Sequence, residues 1–129
     1  MSLGVPHKDI QLLFRRMVFN LVFRNVDDHL KNHSFIYNKS TYSWHLGPAY
    51  EVTYALNPRI TFKATSRALS INGKRTEISL KDVLAVAEEF TIKNPKGIVS
   101  EVQKLIPRWS EIAIRIGVFR NIVETIGGI

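Results

Sequence analysis

Residues 25–52 read NVDDHLKNHSFIYNKSTYSWHLGPAYEV, and the reading of this stretch decides the fold. Its first eight residues gather two adjacent carboxylates, a histidine, a lysine and two amides behind a run rich in apolar residues. Asp, Asn and His are poor helix formers because their side chains compete for backbone hydrogen bonds. Asn25 to Asn32 is therefore a loop, and a polar loop this dense is either a plain helix ending or a site. Beyond it, HSFIYN and YSWHL set aromatic and β-branched residues on both sides of NKST, which predicts a β-hairpin closed by Gly47-Pro48.

On the N-terminal side, Ile10, Leu12, Leu13, Phe14, Met17, Val18, Leu21 and Val22 recur at three- and four-residue spacings. The spacing predicts a helix from His7 to Arg24 with a broad buried face, widened by Phe19 and Phe23. Downstream, residues 57–78 read as an irregular arm holding a possible short strand, ITFKA, and a turn at Asn72-Gly73. Ser79 has the character of an N-cap, with Asp82 standing where a capping-box acid would, and LKDVLAVAEEF carries the helical period after it. Asn94-Pro95 breaks the chain, and a further helix runs from Pro95 to Ile106. Pro107 opens a last helix through Trp109, Ile112, Ile116, Phe119 and Val123, ending before Gly127-Gly128. Trp44, Trp109 and Phe119 are assigned to the core. The fold class is mainly α with a small β-hairpin, in one domain over residues 1–129, with Met1–Gly4 given no weight as a native start.

The composition, 45% apolar and 22% charged over 129 residues, suits one globular domain with a real core. The absence of cysteine excludes disulfides, thiolate metal sites and a cysteine nucleophile, and fits a cytoplasmic protein. No apolar run is long enough to span a bilayer, and MSLGVPHKD lacks the layout of a signal peptide. The net charge is +7, and Arg59, Lys63, Arg67, Lys74, Arg75 and Lys81 are opposed within their stretch by Glu77 alone. This basic arm is either a phosphate-binding patch or a solvated face.

Asp27 and Asn32 are five positions apart. Protein kinases space the catalytic-loop Asp and the metal-binding Asn in this way. The carboxylate accepts a proton from a substrate hydroxyl, and the amide oxygen reaches a Mg²⁺ bridging nucleotide phosphates. A second acid must hold that metal from a separate segment, and Glu51 follows the hairpin in the required order. Left to itself, the same loop can be a set of Asx-type turns. His29 and His33, with Asp27 or Asp28, could alternatively form a zinc site, but HSFIYN already reads as strand. His33 and His45 are taken as ordinary hairpin residues, and Tyr50 as a ring packed under the loop with its hydroxyl bonded.

NVDDHLKNHSF, WHLGPAYEV and ALSINGKR together resemble the C-terminal lobe of the HipA-like serine/threonine kinase family, from about Lys8 to the last helix. The resemblance implies a kinase-like C-lobe that works with Mg²⁺ and ATP to phosphorylate protein hydroxyls. It also implies the toxin role of a toxin–antitoxin pair, with a helix-turn-helix antitoxin as partner and DNA reached only through that antitoxin. Carried over by position, Asp27 matches the catalytic base and Asn32 the Mg²⁺-binding amide. His29 and Lys31 match structural and phosphate-side positions of the loop, while Asp28 fills a variable slot without chemistry. Glu51 matches the metal-binding Asp but carries one more methylene.

The seven glycines form neither a G-x-G-x-x-G nor a P-loop pattern. The ATP-covering N-lobe is therefore expected outside this chain, removed or separately encoded, and the chain alone is expected to be inactive. A lipid kinase would use a related loop, but the PAYE and SINGKR segments argue against it. From a different class, a degenerate lobe could serve as a docking module for an antitoxin or a nucleic acid.

Overall fold

The computed structural model describes residues 3–57, 59, 65–127 and 129. Its elements run α1 (His7–Val22), a 3₁₀ turn (Leu30–Asn32), β1 (Phe35–Asn38), β2 (Ser43–Leu46), α2 (Leu80–Glu89), α3 (Pro95–Gln103), α4 (Ile106–Arg115) and a one-turn α5 (Arg120–Val123). The domain is mainly helical with one two-stranded antiparallel hairpin, as the sequence predicts. The possible strand ITFKA at 60–64 lies outside the described residues.

The core forms where the apolar stripe of α1 meets α2 and α3. Val18, Val22 and Val83 are fully buried, and Phe14, Ala87, Val99 and Val102 close around them. Burying side chains of this size contributes about 1.5–3 kcal/mol each. Ile71, carried by the irregular arm, is 2% exposed, so the arm is anchored in the same core. Trp109 packs against this core, its ring edge-on to Phe23 at 6.0 Å.

Helix α1 ends because Arg24 turns into the left-handed region (φ 59°) and its guanidinium is drawn into the helix terminus. There it donates to the carbonyls of Leu21, Thr125 and Gly127, and the Gly127 N–H returns to Val22 O at 3.0 Å. The C-terminal segment thus caps α1 at the point where the polar loop begins. Burial lowers the Arg24 pKa to about 10, which leaves it charged at neutral pH.

The hairpin pairs Phe35 with Leu46 and Asn38 with Ser43. Asp9, in the first turn of α1, accepts the Leu46 N–H at 2.9 Å and stands 3.3 Å from His45 Nδ1, so the hairpin hangs from the start of the helix. At its exit, Gly47 donates to Ser34 O at 2.7 Å. A Cβ there would meet Ser34 Oγ at 2.3 Å and the Ser34 carbonyl oxygen at 3.0 Å, so the close approach favours glycine.

The Ser79–Asp82 capping box forms, with Asp82 accepting from the Ser79 N–H (2.9 Å) and hydroxyl (2.8 Å). Asn94 caps α3 through its side chain on the Gly97 N–H, and Pro95 opens the helix.

Three expectations are corrected. The last helix is not continuous to Val123: Gly117 (φ +91°) reverses the chain and splits it into α4 and α5. Phe119 then falls just before α5 and is 76% exposed instead of buried. Trp44 is also exposed (37%): it lies on the two-stranded sheet against its cross-strand neighbour Tyr37, 5.2 Å away ring to ring.

Candidate active-site loop

The loop closes on itself through the Asp27 carbonyl, which accepts the His29 N–H at 2.9 Å and the Asn32 Nδ2 at 3.0 Å. Asn32 N–H donates to His29 O at 2.9 Å, completing a tight turn over the six residues from Asp27 to Asn32. Two consequences follow for the predicted pair. The Asp27 side chain is exposed, and among the described residues nothing bonds to its carboxylate. The Asn32 amide is half-buried, and with its nitrogen committed to Asp27 its oxygen is left as an acceptor.

The remaining predicted residues sit around this pair. Lys31 is exposed, and its carbonyl accepts from the Tyr50 hydroxyl. His29 is half-buried, with a buried Nδ1 that lacks a partner among the described residues. Glu51 is exposed and left-handed (φ 53°), and its carbonyl accepts from Asn25 Nδ2 at 3.0 Å. Asn25 is 3% exposed and donates also to Asn20 Oδ1 on α1. Two links, Tyr50–Lys31 and Asn25–Glu51, therefore hold the post-hairpin segment beside the loop. The Tyr50 hydroxyl finds its partner, but the ring is 44% exposed and does not pack beneath the loop.

Three residues matter here that the local pattern leaves unassigned. Asp28, expected to be a bystander, is 3% exposed and doubly paired. His33 Nε2 contacts its Oδ1 at 2.8 Å, and Arg67 Nη2 its Oδ2 at 3.3 Å. Arg67 is 3% exposed, and burial lowers its pKa while Asp28 opposes the shift. His33 is thus no ordinary hairpin residue, and Arg67 does not belong to a solvated basic face. Lys74 is likewise paired, 3.0 Å from Asp82, while Arg75 donates to Arg67 O at 2.7 Å. Asn72 donates to Asp82 at 3.0 Å. The basic arm is consequently neutralised at two points by acids outside it.

For a hard cation the donor set fits. Asn32 Oδ1 and the Glu51 carboxylate are oxygen donors, and Mg²⁺ needs few protein ligands because it keeps waters and takes phosphate oxygens. Among the described residues no cluster of three or more His, Asp or Glu side chains forms a closed metal cage, so the zinc alternative finds no frame.

The domain is mainly helical, with an Asp-x₄-Asn loop and an acid following a two-stranded hairpin. The family model of the HipA-like C-terminal domain matches residues 2–109, and the chain belongs to that family. No curated protein matches it. Among the described residues no helix is long and apolar enough to cross a membrane.

Proposed function

We propose that this domain is the catalytic-lobe portion of a HipA-like protein serine/threonine kinase, transferring the γ-phosphoryl of ATP to a protein hydroxyl. The observation that carries the reading is the Asn32 Nδ2 bond to the Asp27 carbonyl, which presents an exposed carboxylate and a free amide oxygen on one small turn. Asp27 accepts the proton of the attacking hydroxyl and orients it. Asn32 and Glu51 would hold Mg²⁺, which when bound neutralises phosphate charge. Lys31, exposed on the same turn, adds positive charge on the phosphate side, and His29 supports the loop from within.

The nucleotide is covered by a lobe supplied in cis or in trans, and these 129 residues alone do not turn over. In the cell the domain works in the cytoplasm as part of a toxin, with a protein substrate and a helix-turn-helix antitoxin, and meets DNA only through that partner. A second reading, a non-catalytic docking lobe, draws on Glu51 standing where the family resemblance implies Asp. The longer side chain displaces the carboxylate from an ion that demands near-octahedral geometry.

The test joins the chain to an ATP-covering lobe of the family and supplies Mg·ATP with a generic protein acceptor. Transfer that disappears in Asp27→Asn, together with Mg·ATP thermal stabilisation lost in Asn32→Ala, is expected. Absence of both transfer and stabilisation would favour the docking lobe. Turnover by the chain alone, abolished by Asp27→Asn, would refute its dependence on a second lobe.

A further inference from the structure

Asp27 is exposed, yet the residues on either side of it are both held from below by the irregular arm. Val26 O accepts the Ala68 N–H at 2.8 Å, and the Asp28 carboxylate takes the Arg67 guanidinium at 3.3 Å. The far end of the loop is tied to the same carboxylate, because His33, which follows Asn32, contacts Asp28 at 2.8 Å. Successive Cα atoms are about 3.8 Å apart. Holding residues 26, 28 and 33 therefore restrains Asp27 and Asn32 to within one peptide of a clamped position. The Asp27–Asn32 bond itself is exposed and must compete with water, so it cannot by itself fix the turn. The arm has its own anchors: Arg67 is paired with Arg75 through both backbone and side chain, and Lys74 and Asn72 fasten the arm to Asp82 at the start of α2.

We propose that Arg67 is a positioning residue, acting through Asp28 to set the separation and aim of Asp27 and Asn32. The inference deepens the kinase reading and rests on it for its kinetic consequence, though not for its structural one. The Arg67 guanidinium is buried and bonds the Asp28 carboxylate and the Leu69 carbonyl. It holds a negative charge under the loop, and the loop's two working side chains inherit their spacing from that hold.

The test uses the pair variant Arg67→Met with Asp28→Asn, which removes both charges together and so avoids a buried unpaired ion. By amide hydrogen exchange on the 129-residue chain, the His29 and Asn32 N–H groups are expected to exchange about tenfold faster, with those of Val86 and Val102 unchanged. Loop amides that exchange at the wild-type rate in the folded variant would overturn the proposal. In the enzyme completed by its ATP-covering lobe, the same variant is expected to lose about a hundredfold in kcat with KM for ATP held within about twofold. A kcat equal to wild type would also overturn it. A wild-type enzyme without transfer would instead remove the kinase reading, and the exchange result would still decide the positioning role.

Discussion

The side-chain nitrogen of Asn32 donates to the carbonyl oxygen of Asp27 across 3.0 Å, closing the five-residue interval into a ring. The bond commits the amide nitrogen and leaves the amide oxygen as an acceptor, on the same small turn that carries the exposed Asp27 carboxylate.

Asn32→Ala removes an exposed hydrogen bond and the acceptor oxygen together. The stability cost is expected to stay within about 0.5–1.5 kcal/mol by urea unfolding. Phosphoryl transfer by the completed enzyme should fall by at least about a hundredfold. A transfer rate near wild type would remove Asn32 from the site.

The two adjacent acids should behave in opposite ways. Asp27→Asn, at an exposed position, is expected to change stability by less than about 0.5 kcal/mol while abolishing transfer. Arg67→Met leaves the buried Asp28 carboxylate with His33 as its one remaining side-chain partner among the described residues and is expected to cost about 3–5 kcal/mol, much of it recovered when Asp28→Asn is added. A double-mutant cycle by chemical denaturation measures the coupling, and additive costs would mean the pair is not coupled.

Acid sensitivity is expected to run through Asp82. The Ser79 backbone N–H, then Asn72, Lys74 and the Ser79 hydroxyl, hold its carboxyl well below the usual carboxylate range. Because the folded pKa is depressed, the unfolded chain takes up the proton first as pH falls. The stabilisation is complete above about pH 4 and is lost progressively below it. Urea midpoints measured from pH 7 to pH 2.5 should decline less steeply in Asp82→Asn, which starts from a lower value at pH 7. Parallel declines would assign the acid limb to other groups.

Two glycines separate conformational cost from steric cost. At Gly117 nothing lies within 4 Å of the point where a methyl group would stand, so Gly117→Ala tests backbone strain alone at φ +91°, expected at about 1–2 kcal/mol. Gly47→Ala meets Ser34 Oγ at 2.3 Å and the Ser34 carbonyl oxygen at 3.0 Å, and about 1–3 kcal/mol is expected from overpacking. Thermal midpoints resolve both. Retention of stability in Gly47→Ala would mean that the hairpin exit shifts freely.

Much of this was legible in the chain because it is written at short range. The i, i+3, i+4 stripe of Phe14, Val18, Leu21 and Val22 marks α1, the aromatic runs around NKST mark the hairpin, and Ser79 with Asp82 marks the start of α2. The interval from Asp27 to Asn32 is equally local, so both residues could be named as candidates from spacing. Each of these rests on interactions between residues a few positions apart, whose geometry the backbone supplies.

Only the tertiary structure decided what lies beneath. Arg67 reaches Asp28 across 39 positions, and no local period relates them. From sequence both are surface charges, because a charged side chain is buried only when a distant partner arrives to compensate it. The exposure of Phe119 and Trp44 follows the same rule in reverse: their apolar character was plain, but burial depends on whether another element packs over them. The sequence by itself determined the loop and its two candidate residues, Asp27 and Asn32. The fold decided what Asp28 does, because burial under the arm commits it to Arg67 and His33, while Asp27 stays open to solvent.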